Sequence, residues 1–484
     1  MSRQFTVDCL YEIFEYLEKN YLTLHSCLLV NRFWCKVAVR ILWRNIWNFQ
    51  YNIEHCSYRT HTIIGTLVAC LPNESKVFLN ENGLFIQPPT LKSPLFNYPS
   101  FIKGISINKF DEMIHSVLEN QHLKLSLYYS KHLIAQEIIK MFMNQIPSLK
   151  KLEFYWNNFK NIPFNIHFSC FPGAKDCLTD LSELYCNSDV YSEFFYQLSQ
   201  TCHNLQSLTI EFRDTISSGL VDFISVQNNL KILNLISDEK IWTSIIPVLS
   251  KISNTLIKLK IDVGEIYAPT SFISSCINLQ ELILSANQIS FKELQYVIFS
   301  NLQILKIPFD RPDDDLLTKF FENNGKNLKE LDIYSIDGSL GSSIAKFCPN
   351  LKKISTILMD NNGLETLKIL FNTCQYLESI KIWYGDYNSD EKEMLKIVIT
   401  YSKNNFYELK IYHEFSSSLG PEDFESFLIS WDNRNNRSPI NLISIKDDFW
   451  NITLDSNKEI MKLFEKYKKL GIIKKFGIEM HFET

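Results

Sequence analysis

The sequence lacks the features that mark several common classes of protein. Its 484 residues carry 49 lysines and arginines against 54 aspartates and glutamates, a net charge of −5, and include no basic run. A general nucleic-acid-binding protein needs an excess of positive charge. A membrane span needs roughly 20 consecutive apolar residues, and one of the longer mostly apolar stretches covers only residues 63–71. We therefore expect neither nucleic-acid binding nor membrane binding.

Motifs that carry chemistry are also missing. The sequence contains no Gly-x-x-x-x-Gly-Lys loop, no Gly-x-Gly-x-x-Gly, no His-Glu-x-x-His and no Gly-x-Ser-x-Gly, which would indicate phosphate binding, dinucleotide binding, a zinc site or a serine nucleophile. The ten histidines are scattered, and the twelve cysteines include no Cys-x-x-Cys pair of the kind that binds metal. We expect a protein that is not an enzyme and that uses no metal or other cofactor.

What the sequence does contain is a repeated apolar pattern: an apolar residue, two others, an apolar residue, one other, and an apolar residue. Units begin at Leu149, Leu178, Leu205, Leu230, Leu256, Leu279, Leu302, Leu328, Leu351, Leu377, Phe406, Ile440 and Ile473, with weaker ones at Ile102 and around Leu125–Leu127. From 149 to 406 successive units are 23 to 29 residues apart, which is the period of leucine-rich repeats with one strand and one helix each. Residues 101–484 are predicted to hold about 14–15 such units, irregular after 406.

This spacing predicts how each unit folds and packs. The second and third apolar positions are two residues apart, so they point to the same side of a strand, and the residue between them points to the other side. No unit can bury its apolar side alone, but a stack of units gives one continuous core. The predicted fold class is therefore α/β: a short all-α N-terminal module followed by a horseshoe solenoid of parallel strands with one helix per repeat.

Four cysteines have a fixed place in this pattern. Cys202, Cys276, Cys348 and Cys374 each lie three residues before the first apolar position of a unit, where a small apolar thiol fits a buried slot. These units resemble the cysteine-containing leucine-rich repeats. Reduced thiols suit a reducing compartment, and acidic residues interrupt the N-terminal apolar residues, which argues against a signal peptide. We expect a cytoplasmic or nuclear protein.

The residues that alternate with the core positions form the predicted binding surface for a substrate. The fourth and sixth positions after the start of each unit point to the concave face, and in the later units they bring together aromatic, apolar and cationic residues: Tyr334, Ile357, Lys381, Trp383, Lys410 and Tyr412. Aromatic residues with flanking cations are typical of binding hot spots. We interpret this set as a site for an acidic or aromatic segment of an unidentified protein substrate.

Residues 1–50 differ from the repeats. Three short apolar stripes at helical spacing occur here, and the last of these helices also carries Phe33, Leu42, Trp43, Ile46 and Trp47 outside its stripe. So short a segment cannot bury that many large side chains internally. Some of them must contact the repeats or another protein.

The N-terminal residues resemble the F-box. The matching residues are Asp8-Cys9-Leu10, Ile13-Phe14, Leu17, Leu28-Leu29-Val30-Asn31-Arg32-Phe33-Trp34 and Leu42-Trp43, whereas Phe5-Thr6 stands in place of Leu-Pro and Asn31 in place of cysteine. The resemblance implies a substrate-recognition subunit of an SCF-type ubiquitin ligase, a monomer within a complex with a Skp-type adaptor and a cullin. It implies adaptor contacts at Phe5, Leu10, Ile13, Phe14, Leu17, Leu28, Val30, Trp34 and Trp43.

Residues 51–100 are predicted to bridge the two parts. Residues 62–79 read as partly helical with a break at Pro72, and the prolines at 88, 89, 94 and 99 mark an extended stretch. We interpret the bridge as a cap on the open end of the solenoid. The alternative to the ligase role is a free-standing leucine-rich-repeat scaffold whose N-terminal helices only cap the array.

Overall fold

A computed structural model describes the chain except for residues 1–6, 19, 48–55, 91, 120, 156–165, 238–243, 265–269, 287–290, 310, 359–360, 385–390, 414–418, 435–437, 447–456 and 481–484. It divides into two compact units, Met1–Lys231 and Ile232–Thr484. The N-terminal helices thus share a unit with the first repeats, and the boundary between the units falls inside the repeat array. None of the described helices combines the length and the apolar character that crossing a membrane requires.

The first unit contains ten described α-helices and four strands. The helices are α1 Val7–Glu15, α2 Tyr21–Leu28, α3 Arg32–Leu42, α4 Cys56–Cys70, α5 Asn73–Glu81, α6 Ile107–Leu118, α7 Leu127–Gln145, α8 Ala174–Leu178, α9 Ser192–Thr201 and α10 Ser218–Ser225. The strands are β1 Gly104–Ser106, β2 Lys151–Phe154, β3 Glu183–Asn187 and β4 Ser207–Glu211. As predicted, the helical part of the bridge is interrupted at Pro72, between α4 and α5.

The second unit alternates strands and helices more regularly. Its strands are β5 Ile232–Ser237, β6 Lys258–Val263, β7 Glu281–Ala286, β8 Ile304–Ile307, β9 Glu330–Ser335, β10 Lys353–Leu358, β11 Ser379–Tyr384, β12 Glu408–His413, β13 Ile440–Lys446 and β14 Ile473–Met480. Its helices are α11 Ile246–Ile252, α12 Thr270–Ser274, α13 Asp314–Asn324, α14 Gly338–Phe347, α15 Asn361–Thr373, α16 Glu391–Tyr401, α17 Pro421–Asp432 and α18 Lys458–Lys469. Between β7 and β8 the described residues form only a 3-10 turn, Leu294–Tyr296.

In each unit the strands pair in parallel and in the order of the sequence. The repeated apolar positions lie side by side, as Leu233, Leu259 and Leu282 do across three neighbouring strands, and they are fully buried. The fold is therefore an α/β solenoid of leucine-rich repeats, as the period predicted. The pattern determines this fold because the leucine-bearing side of a strand is buried only when repeats stack on one another.

The corner between each helix and the next strand carries a second interaction between repeats. In several units an asparagine directly precedes the first leucine. Its side-chain amide donates a hydrogen bond to the preceding repeat: Asn229 to Asn204 Oδ1 (3.0 Å), Asn278 to the Asn254 carbonyl (2.8 Å), Asn327 to the Ser300 carbonyl (2.9 Å) and Asn350 to the Lys326 carbonyl (2.8 Å). Without these hydrogen bonds, the acceptor oxygens at the turn would have to bond to water instead.

Two predicted units differ from the structure. The weak unit around Leu125–Leu127 is not a strand, because Ser126 caps the N-terminus of α7 and accepts a hydrogen bond from the Tyr129 amide. The unit at Ile440 was predicted one residue out of register. Leu442 pairs with the core residue Leu409, whereas Ile443 pairs with Lys410. A shift of one residue exchanges the two sides of a strand, so Ile443 and Ile445 lie on the side opposite to the core leucines.

Close packing of the repeat helices leads to a first prediction. In α14, a Cβ on Gly341 would lie 2.6 Å from Cγ2 of the buried Thr366 in α15, whereas a Cβ on Gly338 would meet nothing within 4 Å. Overpacking costs about 1–3 kcal/mol, and replacing a helical glycine by alanine gains up to about 1 kcal/mol. We expect Gly341→Ala to lower the free energy of unfolding and Gly338→Ala to leave it unchanged or raise it, as measured by urea unfolding. Equal stability of the two variants would contradict this packing.

The repeat cysteines give a second prediction. Cys202, Cys276, Cys348 and Cys374 are buried, as the sequence predicted. Burial raises the pKa of Cys202 and Cys374 to about 11 and that of Cys276 to about 12, so at about pH 8 roughly one thiol in a thousand or fewer is ionised. A thiol reagent should label the exposed Cys9 and Cys170 within minutes and these four only after denaturant is added, as followed by mass spectrometry. Rapid native labelling of the four would show that they do not occupy buried slots.

Candidate protein-interaction surfaces

The first candidate surface lies on α1, α2 and α3. Asparagines start two of these helices: Asn20 accepts a hydrogen bond from the Thr23 amide (3.1 Å), and Asn31 accepts from the Phe33 and Trp34 amides (2.9 Å each). Asparagine is among the best N-cap residues. Asn31, which stands where the F-box pattern has cysteine, therefore sets the start of α3.

The three helices enclose a small core. Its buried members are Leu10, Phe14, Leu24, Cys27, Val37, Ala38, Ile41 and Leu42. The ring of Trp34 packs edge-on against Phe14, with centroids 5.3 Å apart. Outside the core, Arg44 bonds both carboxylate oxygens of Glu15 at 2.6 and 2.7 Å, and this hydrogen bonding holds the pKa of Glu15 below its ordinary value.

The end of this segment packs on the first repeat. The Arg44 carbonyl accepts hydrogen bonds from the Lys103 and Gly104 amides (2.8 and 3.3 Å), and the Trp47 indole N–H donates to the Gly104 carbonyl. Trp47 also packs edge-on against Phe110, and the ring of Trp43 lies 4.4 Å from that of Tyr98. Part of the apolar surplus of the N-terminal segment is therefore accounted for by contact with the repeats.

Another part of that surplus remains at the surface. Ile13, Leu22, Leu29 and Val30 are 45, 81, 86 and 55 % exposed, and Phe33 is also exposed. Leu22 lies in the first turn of α2 and Leu29 is the residue that caps its C-terminus. They are seven residues apart and so lie on the same side of this helix. We call these five residues the N-terminal surface. Apolar residues exposed in such number on so short a segment are typical of protein contact sites.

The predicted adaptor contacts are distributed over several environments. Ile13 and Val30 lie on the N-terminal surface, and Leu17, Leu28 and Trp34 are half-buried against the helical core. Leu10 and Phe14 are not at the surface, because their side chains are buried in the core between the three helices. Trp43 contacts Tyr98, and Phe5 lies outside the described residues. Leu22, Leu29 and Phe33 were not predicted as contacts, although Leu22 and Leu29 fall off the buried stripe of α2.

The second candidate surface lies in the second unit, on the side of the strands opposite to the core leucines; we call it the open face. Lys381 pairs with Lys410, and Trp383 pairs with Tyr412 and Ile357 on its two neighbouring strands. Lys410 pairs in turn with Ile443, and Tyr412 with Ile445. The structure thus brings together most of the residues predicted for substrate binding. Through the changed register of β13 it adds Ile443 and Ile445, both of which are buried.

Three predicted members of this set are placed differently. Tyr334 is out of register with Ile357, because an irregularity between β9 and β10 puts Ser335 opposite Ile357. Ile357 and Tyr412 were predicted to be exposed, yet they are only 8 and 3 % exposed. The ring of Tyr412 packs against that of Trp383 on the neighbouring strand, with centroids 4.1 Å apart. Trp383, Lys381 and Lys410 are half-buried and still reach solvent.

Ion pairs neutralise much of the remaining charge on the open face. Lys258 bonds Glu281 at 2.9 Å, Lys260 bonds Asp262 at 3.2 Å, and Lys306 bonds Glu330 at 2.7 Å. Burial raises the pKa of Asp332, although Lys381 and a hydrogen bond from Ser355 act in the opposite direction. Among the described residues, no group of three or more His, Cys, Asp or Glu side chains is arranged to hold a metal ion.

Comparison with known proteins gives weak likenesses. No family model matches the chain, and no curated protein matches it. Among solved structures, the Rad7–Elc1 complex of yeast aligns with 12 % identity and a TM-score of 0.36 over 76 % of this chain and 81 % of that one. The leucine-rich-repeat protein LegL7 of Legionella pneumophila gives 13 % and 0.38 over 66 % and 97 %. A leucine-rich-repeat protein of Leptospira interrogans gives 14 % and 0.36 over 72 % and 87 %. With TM-scores below 0.5, no functional inference follows from them.

Proposed function

We propose that this chain is a non-enzymatic substrate-recognition subunit of an SCF-type ubiquitin ligase. The N-terminal surface would bind a Skp-type adaptor, and through it a cullin, while the open face would bind a target protein. Such a role needs no catalytic group in the chain itself, because holding a target near the ubiquitin-carrying enzyme raises its effective concentration.

The observation that supports this proposal is the division of the N-terminal apolar residues into two sets. Trp43 contacts Tyr98 of the bridge, Trp47 contacts Gly104 of the first repeat, and Ile46 is buried. A segment that served only as a cap would need this set and no other. Leu22, Leu29 and Val30 remain exposed, and a cap gives no reason for them. The scaffold alternative therefore explains less of the segment than the adaptor-binding role does.

A double substitution on the N-terminal surface tests the adaptor contact without disturbing the helical core. Replacing Leu29 and Val30 by alanine should weaken adaptor binding by about 2–4 kcal/mol, since burying a large apolar side chain contributes about 1.5–3 kcal/mol. That loss corresponds to a roughly 30- to 1,000-fold higher Kd. The measurement is the affinity of the intact chain for a purified Skp-type adaptor, with helix content checked by circular dichroism.

The matched control is the double variant Val77→Ala with Phe85→Ala. Both residues are exposed apolar side chains of the same unit outside the N-terminal surface, so their replacement should leave adaptor affinity unchanged. If the intact chain bound no adaptor, or if the Leu29 and Val30 variant bound as tightly as the unchanged chain, the ligase role would be refuted.

A further inference from the structure

Lysines are concentrated near the end of the second unit. Residues 466–475 include five lysines and no aspartate or glutamate, whereas the whole chain has a net charge of −5. Lys466 bonds Glu425 at 2.6 Å. The other four lysines are exposed: Lys468, Lys469, Lys474 and Lys475. Within the described part of the chain, no ion pair joins any of these four to a carboxylate, including that of the exposed Glu465 just before the segment. Their charge therefore faces solvent.

These four lysines are not continuous in the sequence, and a tight turn brings the two pairs to the same end of the last repeat. At the end of α18 the Gly471 amide donates a hydrogen bond to the Lys468 carbonyl (3.0 Å), and Gly471 has a φ of +74°, which glycine adopts readily. Strand β14 then runs back along the helix, because the rings of Phe464 and Phe476 stack with centroids 3.6 Å apart. One lysine pair thus precedes the turn and the other follows it.

An apolar side chain lies between the two lysine pairs. Leu470 follows the last residue of α18 and is 62 % exposed. The macrodipole of a helix favours lysines in its last turn, which accounts for Lys468 and Lys469. It accounts neither for the second lysine pair, on β14, nor for an exposed leucine between the pairs. We call Leu470 and the four exposed lysines the basic turn.

The composition of the basic turn fits the surface of a bilayer that carries anionic lipids. Lysines are attracted to anionic headgroups, and an apolar side chain among them enters the boundary between headgroups and acyl chains. A single-stranded nucleic acid would be bound by exposed aromatic rings as well as by cations. Tyr467 is the one aromatic residue in the segment 466–475, and it is buried. A lipid surface is therefore the better match.

The place of the basic turn in the sheet separates it from the charges of distant repeats. Strand β14 is last in the order of the described strands, nine strand spacings, or about 43 Å along the sheet, from β5. At physiological ionic strength, charges are largely screened beyond about 8 Å. The net negative charge of the whole chain therefore has little effect on what the basic turn binds.

We propose that the basic turn docks this chain on a membrane surface that carries anionic lipids. The four lysine ammonium groups lie near the headgroups, and Leu470 inserts between them. Net charge and the lack of a long apolar stretch led us to expect no membrane binding, but the first averages over the chain and the second concerns spanning segments. The inference goes beyond the ligase role and does not depend on it, because it uses residues of the second unit alone.

The test measures how much of the intact chain sediments with lipid vesicles. Vesicles of equal parts phosphatidylcholine and phosphatidylserine should bind the chain, and vesicles of phosphatidylcholine alone should not. Binding should weaken as salt is added, because exposed charges are screened.

Three variants of the basic turn define the contact. Lys468→Gln with Lys469→Gln should raise the lipid concentration needed for half-maximal binding about thirtyfold, since each lysine near an anionic bilayer strengthens binding about fivefold. The quadruple variant, with Lys474→Gln and Lys475→Gln added, should show no measurable binding. Leu470→Ala should weaken binding at least about fourfold and keep the preference for anionic vesicles, because it shortens the inserted side chain.

The matched control is the double variant Lys251→Gln with Lys326→Gln. Both lysines are exposed and lie in the last helical turns of two other repeats of the same unit, so the control makes the same change of charge at the same kind of position. It should bind anionic vesicles as tightly as the unchanged chain. Urea unfolding checks that each variant folds, and if the quadruple variant did not fold, the two double variants would still decide the question.

Several results would overturn the proposal. The first is binding to anionic vesicles that is no greater than binding to neutral ones. The second is an undiminished affinity of the Lys468 and Lys469 variant, or an equal loss in the control variant. The third is complete displacement of the chain from anionic vesicles by a single-stranded oligonucleotide or by polyglutamate at an equal concentration of charge, which would indicate a nucleic acid or an acidic protein as the partner.

Discussion

A repeat of this chain has one apolar side and nothing of its own to bury it against. Leu259 becomes fully buried because Leu233 and Leu282 lie beside it on the neighbouring strands and because helices cover the row. Every other feature of the repeats serves this stacking. The cysteine at the end of the helix fills a narrow slot, the asparagine at the corner bonds the previous repeat, and Gly341 leaves room for α15.

The same constraint leaves the opposite side of the strands free to vary. Residues that alternate with the leucines lie on the other side of the sheet, so charge and aromatic rings can be placed there without disturbing the leucine rows. In the second unit several charges on this side form ion pairs, as Lys258 does with Glu281 and Lys306 with Glu330.

The N-terminal segment does two things: it covers the apolar end of the first repeat, and its three helices enclose a core of their own. Trp47 and the Arg44 carbonyl complete the first repeat, in the way that a terminal repeat needs a partner of different composition. The three helices close their own core around Phe14. Leu22, Leu29 and Val30 take part in neither arrangement, which is why they point to a contact with another protein.

Much of the fold could be predicted from the sequence, because the repeat period and the two-residue alternation within a strand are local properties. The burial of Cys202, Cys276, Cys348 and Cys374 followed from their fixed offset, and the three N-terminal helices followed from their stripes. The register of β13 could not be predicted in the same way, because Ile443, Ile445 and Leu442 are all apolar and only the pairing with β12 shows which of them faces the core.

Tertiary structure also determined which large apolar side chains are covered. Trp43 and Leu29 look alike as surplus apolar residues, but one meets Tyr98 and the other meets solvent. Tyr412 was expected at the surface, but it is buried, and its ring packs against that of Trp383 on the neighbouring strand. Spacing along the chain determines which side of an element a residue takes, whereas what lies across from that side depends on residues distant in sequence.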